Sequence, residues 1–168
     1  MPHRTLPNVV DLDSIAWKIL EALQHNARLS FAELGRKTGL STPAVAERVH
    51  RLEEAGVISG YHAAIDMAKL GVPIHVLVRL TIPGGDLQVR RSVAAIKELS
   101  EVSRCYRITG AESFVIEANV VSIRHLEALI DNLSALGATS TSTILSSPVE
   151  RREYQATQIE SFAKYNEP

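Results

Sequence analysis

The segment between Ser30 and Val57 constrains the fold most, because it predicts two helices joined by a very short turn. Ser30 and Glu33 form an S-x-x-E capping box, in which each side chain satisfies a backbone donor of the first helical turn. Gly39 ends this helix, because glycine readily adopts the left-handed conformation found at helix C-termini. Only two residues follow before Thr42 caps the next helix. This spacing predicts a helix-turn-helix.

The second helix of the motif has one apolar stripe and one polar face. Val45, Val49 and Leu52 recur at i, i+4 and i+7, which predicts a single buried side. In a helix-turn-helix, this helix enters the DNA major groove. We expect Arg48 and Arg51 to reach guanine edges or phosphates. The predicted DNA-binding residues are Arg28, Ser41, Thr42, Pro43, Ala44, Glu47, Arg48, His50 and Arg51.

An αα-hairpin packed inside an enzyme core is the alternative to DNA binding. A third helix favours DNA binding, because apolar residues from Leu12 to Leu23 form a complete amphipathic face. Asp11 or Asp13 can cap its start. The apolar pair Val57-Ile58 follows the motif, which suggests a winged or strand-tailed module. A three-helix unit of this size seldom stands alone as a catalytic core.

Composition limits the remaining functions. The chain has 168 residues with 18 Lys and Arg against 19 Asp and Glu, so it is not a polycationic DNA coat. Its single cysteine, Cys105, excludes an internal disulfide and a cysteine-based metal cluster. The apolar runs are shorter than the ~20 residues of a membrane span, and the N-terminus lacks the apolar core of a signal peptide. We therefore expect a cytoplasmic protein without a membrane partner, metal or cofactor.

From about residue 73 the apolar residues alternate instead of following a helical period. Ile74 to Thr81 alternates as a strand, and Pro83-Gly84-Gly85-Asp86 breaks it. The segments that follow predict a helix over 87–99, strands over 102–109 and 114–121, a helix capped by Ser122 and ended by Gly137, and a strand over 139–145. The order β-α-β-β-α-β is the pattern of ferredoxin-like folds.

The predicted fold class is α+β, with an N-terminal helix-turn-helix (winged-helix-like) domain and a C-terminal ferredoxin-like domain. The change of periodicity places the helix-turn-helix domain at residues 1–61 and a linker at 62–72. The βαββαβ domain spans 73–150. Residues 151–168 are predicted to be a C-terminal tail.

The motifs of both halves resemble the Lrp/AsnC, or feast/famine, family of transcription regulators, from Leu12 to about Pro148. The matching motifs are Leu12-Asp13, Asn26-Ala27-Arg28, Gly39-Leu40-Ser41, Arg51-Leu52-Glu53, Gly56-Val57-Ile58, Cys105-Tyr106, Thr109-Gly110 and Thr143-Ile144-Leu145. The resemblance implies a first domain that binds double-stranded DNA. It implies a second domain that forms homodimers through its sheet, with dimers assembling into tetramers or octamers. It also implies a small-molecule effector, usually an amino acid, bound between second domains.

The turn after Thr109 departs from the family pattern, in which many members carry acidic residues as G-D-x-D. Glu112 is the only acid here and is displaced by one position. Backbone N–H groups of the turn can hold a carboxylate, and Glu112 can pair with an ammonium group. The predicted effector-binding residues are Gly110, Ala111, Glu112, Ser113, Phe114, Thr139 and Thr141. Alternatively, the turn is a solvated hairpin and the threonines are strand formers at a dimer interface.

Catalysis has little support in the sequence. The six histidines lack metal-binding spacing, and no serine lies in a nucleophile elbow, so we expect no catalytic residues and no enzyme. One enzyme class stays open, because siroheme decarboxylases resemble this two-domain architecture and bind a tetrapyrrole at the second domain. His75, His125, Arg104 and Arg107 are the residues that would hold its propionates. A third alternative is an architectural chromosome protein without an effector.

Overall fold

A computed structural model describes residues 9–165 and divides the chain into two compact units. The first unit contains the residues up to Ala63 together with those from Val149 onward. The second unit is Ala64–Pro148. The chain therefore begins in the first unit, forms the whole second unit, and returns to the first.

The first unit contains three helices around one apolar core. Helix α1 spans Ser14–His25, α2 spans Phe31–Thr38 and α3 spans Thr42–Glu54. The buried core is contributed by all three helices and consists of Ala16, Ile19, Leu23, Leu34, Val45, Val49 and Leu52. Val57 and Ile58 pack against this core in irregular structure after α3. The apolar stripes predicted from the sequence thus face one another.

The helix ends confirm most of the predicted caps. The Ser30–Glu33 capping box is present, and Gly39 has the left-handed φ of 75° expected at the end of α2. Asp13 caps α1 by accepting from the backbone N–H of Ala16 at 2.7 Å. The predicted cap of α3 was wrong by one residue, because Ser41 Oγ accepts from the backbone N–H of Ala44 at 3.4 Å. A proline is tolerated throughout the first helical turn, so it does not fix which residue caps the helix.

The second unit confirms the β-α-β-β-α-β order. After a 3-10 turn at Ala68–Leu70, its elements are β1 Ile74–Thr81, α4 Asp86–Lys97, β2 Val102–Arg107, β3 Phe114–Val120, α5 Ile123–Ser134 and β4 Ala138–Thr143. The four strands form one sheet in the order β2-β3-β1-β4, and each neighbouring pair is antiparallel. The edge strands are therefore β2 and β4.

The two faces of this sheet differ in composition. Val76, Val78 and Leu80 of β1 face the side on which α4 and α5 pack, and all three are fully buried. The residues between them point to the opposite face, because side chains alternate along a strand. That second face is mixed, and the register places on it His75, Leu77, Arg79, Arg104, Tyr106, Val115, Glu117, Asn119, Ser140 and Ser142.

The C-terminal segment is more ordered than the predicted tail. It forms helix α6 over Ala156–Ala163. Before this helix, Tyr154 donates its backbone N–H to Gln24 Oε1 at 2.9 Å and accepts from Gln24 Nε2 at 3.0 Å. His25 Nδ1 lies 3.4 Å from Glu153 Oε1. One amide side chain of α1 thus satisfies both backbone groups of a residue 130 positions later.

Gly137 allows the turn between α5 and β4 to pass directly over the end of β1. A β-carbon at residue 137 would lie 2.1 Å from the carbonyl oxygen of Thr81. We expect Gly137→Ala to lower the free energy of unfolding by at least about 1–3 kcal/mol, because the backbone must move to relieve the overlap. Urea unfolding followed by circular dichroism measures this. Ala135→Ser, which adds one atom at an exposed site of the same turn, is the control, and equal midpoints for both variants would contradict the expectation.

Candidate nucleic-acid interface and effector turn

Helix α3 buries one side and exposes the other. Val45, Val49 and Leu52 are at most 4% exposed, which fixes the rotation of the helix. Ser41 is occupied as the cap, and Ala44 is half-buried at the flank. The predicted DNA-binding residues of α3 that lie exposed are Thr42, Pro43, Glu47, His50 and Arg51. Arg28, in the loop before α2, is also exposed.

The turn that presents α3 depends on Gly35, which the sequence analysis missed. A β-carbon there would lie 2.6 Å from the carbonyl oxygen of Leu40. The backbone N–H groups of Gly39 and Leu40 both donate to the Gly35 carbonyl, at 2.8 and 3.1 Å. A glycine inside a helix costs about 0.5–1 kcal/mol relative to alanine. A glycine inside a well-capped helix therefore indicates, from the sequence alone, that another backbone segment passes close to this position.

Arg48 lies at the flank of α3, against α1. Its Nη1 donates to Asp13 Oδ2 at 2.6 Å, and its side chain is 34% exposed. The prediction that Arg48 belongs to the open polar face was wrong. Its position follows from a partner 35 residues earlier, which the spacing within α3 does not reveal. The ion pair joins the capped start of α1 to the middle of α3.

Arg51 lies on the open face and pairs within its own helix. Its Nε donates to Glu47 Oε1 at 2.9 Å, one helical turn earlier, and the two side chains are 72% and 59% exposed. His50 Nε2 lies 3.2 Å from Glu54 Oε1 in the same arrangement. The open face of α3 therefore carries two pairs, each formed by a basic side chain and a glutamate four residues apart. The carboxylates compensate most of the positive charge of this face.

Two side chains near α3 have shifted pKa values. The backbone N–H of Ala16 and then the Arg48 guanidinium hold the pKa of Asp13 below its ordinary value. Burial and a 2.9 Å hydrogen bond to Glu53 raise the pKa of Tyr61 to about 12. Tyr61 is therefore a neutral donor that ties the segment after α3 back to this helix.

The predicted effector turn is attached to the end of β1. The backbone N–H of Ile82 donates to Ser113 Oγ at 3.0 Å, and the Ser113 N–H donates to the Leu80 carbonyl at 2.9 Å. Thr81 Oγ1 donates to the Ala111 carbonyl at 3.5 Å. Ser113 thus holds the turn in place through its backbone N–H and through its hydroxyl oxygen, which acts as an acceptor.

The remaining predicted effector residues do not form one site within a single chain. Phe114 is 2% exposed and packs in the core, because the alternation of β3 turns it toward the helices. Phe114, which was predicted to bind the effector, is therefore turned into the core of the single chain. Thr139 and Thr141 are half-buried on the edge strand, facing the same helical side. Glu112 is half-buried, and within residues 9–165 its side chain takes part in no hydrogen bond or ion pair.

The residues considered for a tetrapyrrole are partly occupied by other contacts. His125 Nε2 lies 2.9 Å from Glu101 Oε1, and this bond is the main reason that the pKa of Glu101 is lowered. Arg104 Nη1 lies 3.8 Å from Glu117 Oε2. Among the described residues there is no group of three or more His, Cys, Asp or Glu side chains arranged to hold a metal ion. Within the same part of the chain, no helix has the length and apolar character needed to cross a membrane.

Comparison with known proteins identifies both units. The profile described as the AsnC-type helix-turn-helix domain matches residues 12–53, and that of the Lrp/AsnC ligand binding domain matches residues 75–154. The regulator LrpC of Bacillus subtilis is 38% identical over 80% of this chain and 92% of its own length. The leucine-responsive regulatory protein of Haemophilus influenzae is 36% identical over 71% of this chain and 72% of that protein.

Two solved structures are similar along most of the chain. The structure of B. subtilis LrpC has a TM-score of 0.78 at 37% identity and covers 84% of this chain and 100% of that one. A transcriptional regulator from Neisseria meningitidis, solved in complex with L-Met, has a TM-score of 0.82 and covers 89% of this chain and 99% of that one. At 22% identity, the second similarity shows the fold alone.

The Asp13–Arg48 pair predicts a specific acid sensitivity of the first unit. Because folding lowers the pKa of Asp13, its carboxylate contributes stability above the ordinary value of 3.8 and loses it as the pH falls through the lower folded value. Asp13→Asn keeps a good helix cap but removes the ion pair. We expect the melting temperature of the parent to exceed that of Asp13→Asn at pH 7, and the difference to shrink below pH 3.8. Asp11→Asn is the control, and a difference that persists at pH 2 would contradict the expectation.

Proposed function

Because the chain belongs to the Lrp/AsnC family of transcription regulators, we propose that it reads DNA with the open face of α3, assembles through its second unit and responds to an amino acid. The observation that carries the proposal is the exposed Arg51–Glu47 pair opposite the buried stripe of α3. This pair places groups able to recognise base edges on the helix that a helix-turn-helix inserts into the major groove.

Two kinds of DNA contact follow from the exposed face. Arg51 can donate two hydrogen bonds to O6 and N7 of a guanine, which is the commonest specific contact in the major groove. Thr42 and the start of α3 are suited to a phosphate, because helix N-termini and hydroxyls position a protein on the DNA backbone. Arg28 is exposed before α2 and supplies a further phosphate contact.

Arg48 has a positioning role in this proposal. Its guanidinium is bound to Asp13, so it sets the orientation of α3 relative to α1. Substituting Arg48 is therefore expected to disturb the fold of the first unit as well as DNA binding. The two arginines of α3 thus differ in what their loss should do.

A single module of this charge binds DNA weakly, which favours an assembly. The whole chain has a formal net charge of −1, so few phosphates are neutralised by each copy. Linked modules gain affinity from their high effective concentration. The sheet face opposite α4 and α5 offers Leu77, Val115 and Tyr106 among polar residues, and Tyr106 is 46% exposed. We assign the homodimer contact to this face, with further assembly into tetramers or octamers.

The effector site is assigned to the Gly110–Ser113 turn. Glu112 is the one acid of this turn, and its carboxylate is not engaged within the described residues. Family membership supports a ligand for this unit, whose matching profile is described as a ligand binding domain. The name of the H. influenzae relative points to leucine as a ligand class. An amino acid offers an ammonium for Glu112 and a carboxylate for the turn N–H groups.

A regulatory role accounts for the residues better than catalysis does. The named relatives are transcription regulators. In the second unit, His125 and Arg104 are paired with Glu101 and Glu117. These contacts favour structural roles for two of the four residues considered for a tetrapyrrole.

The open face of α3 predicts different outcomes for its two arginines. We expect Arg51→Ala to weaken binding to a duplex selected by the parent chain by about 1–3 kcal/mol, with an unchanged melting temperature. Arg48→Ala should lower the melting temperature as well, because it leaves Asp13 unpaired. Fluorescence anisotropy and calorimetry measure the two effects. Arg91→Ala, at an exposed position of α4, controls for loss of one charge. Parent-like affinity of Arg51→Ala would remove Arg51 from the interface.

The sheet face predicts where self-association can be broken. Leu77 lies opposite Glu117 in the register, so Leu77→Lys can be accommodated in the free chain but places a charge in the assigned interface. We expect sedimentation velocity at micromolar concentration to show a shift toward smaller species. Leu87→Lys, at a residue 64% exposed on α4, should sediment like the parent. An unchanged assembly of Leu77→Lys would place the interface elsewhere.

The effector assignment predicts a loss of ligand affinity without a loss of DNA affinity. Glu112→Gln keeps the shape of the side chain and removes its charge, so a bound amino acid should be weakened by about 1.5–3 kcal/mol, or roughly ten- to hundredfold. Calorimetric titration with the twenty amino acids measures this. Glu127→Gln, exposed on α5, is the control. If the parent binds no amino acid, the effector has another chemistry or the chain acts as an architectural DNA-binding protein.

A further inference from the structure

We propose that Glu47 is a specificity residue that reads a cytosine next to the guanine bound by Arg51. This inference rests on the proposed function, because it requires α3 to lie in the major groove. It adds a prediction about the DNA sequence itself. The DNA sequences that this chain binds should contain a cytosine, and replacing this cytosine should weaken binding. Its recognition should not depend on the phosphate contacts.

The position of Glu47 on α3 supports base contact. Helix α3 begins at Thr42, so Glu47 lies in its second turn, on the side opposite Val45 and Val49. Recognition helices contact base edges with the residues of their N-terminal part. Glu47 is 59% exposed and is the acidic side chain of this part of the helix.

The chemistry of a carboxylate in the major groove selects cytosine. An ionised carboxylate only accepts hydrogen bonds, and the donors in this groove are N4 of cytosine and N6 of adenine. Adenine also presents the acceptor N7 beside its N6, which repels a carboxylate. Cytosine N4 has no such neighbour on its own base, so Glu47 should prefer it. A carboxylate that met no donor would instead be repelled by the phosphates.

The hydrogen bond between Glu47 and Arg51 leaves free the side-chain atoms that would contact the two bases. It joins Arg51 Nε to Glu47 Oε1. Oε2 of Glu47 can then accept from cytosine, while Nη1 and Nη2 of Arg51 donate to guanine. The bonded atoms of the two side chains lie 2.9 Å apart, which is less than the ~3.4 Å rise of one base-pair step. The two bases should therefore belong to the same or neighbouring base pairs.

In vitro selection from random duplexes tests the inference with the full chain and three variants. Glu47→Gln converts the acceptor into a side chain that matches N6 and N7 of adenine. Glu127→Gln removes one acidic charge at an exposed position of α5, in the second unit. Arg51→Ala tests whether α3 contacts the bases at all. Melting curves establish that every variant is folded.

We expect the parent and Glu127→Gln to select the same motif, including a cytosine that Glu47→Gln replaces by adenine or leaves unspecified. Direct binding should then show that exchanging this cytosine weakens the parent about tenfold and Glu47→Gln far less. If Glu47→Gln selects the parental motif while Arg51→Ala loses it, Glu47 only orients Arg51 and the inference is overturned. If both variants retain the parental motif and affinity, α3 does not read the DNA and the proposed function fails as well.

Discussion

The carbonyl oxygen of Leu40 lies where a side chain at residue 35 would have to be, and the presentation of α3 depends on this contact. With glycine at this position, two backbone donors from the turn reach one carbonyl of α2. The turn can then be short enough for Ser41 to cap α3 immediately. The Asp13–Arg48 ion pair adds a second fixed point from α1. The Gly35 turn and the Asp13–Arg48 ion pair together restrict the rotation of α3 about its axis. The face that carries Glu47 and Arg51 therefore stays exposed.

The charge distribution on the open face of α3 favours sequence-specific contacts over general attraction to DNA. The basic side chains of α3 are paired with Asp13, Glu47 and Glu54 in the free protein. Such a surface attracts phosphates less strongly than an uncompensated basic patch would. The chain then gains little from non-specific binding to arbitrary DNA, which is dominated by counterion release. Discrimination between sequences must then come from base contacts.

Features that depend on neighbouring residues could be predicted from the sequence, and those that depend on distant ones could not. The Ser30–Glu33 capping box and the stripe of α3 follow from spacings of a few residues, and the structure confirms both. The role of Arg48 depends on Asp13, and the fate of Phe114 depends on which face of the sheet the helices cover. Helix α6 is short and follows Tyr154, whose backbone pairs with Gln24 of α1, so the placement of this segment depends on contacts that no local pattern encodes. The Gly110–Ser113 turn is predictable as a turn, whereas its attachment through Ser113 Oγ depends on Ile82, 31 residues earlier.

The return of the chain to the first unit has a consequence for how the protein can be divided. Because Tyr154 is held by Gln24, the second unit is an insertion within the first, and the chain crosses between the units twice. Cutting the chain after Pro148 would remove part of the first unit, including Tyr154, whose backbone groups pair with the Gln24 amide. Joining residue 63 directly to residue 149 would therefore keep both segments of the first unit in one chain while removing the inserted unit.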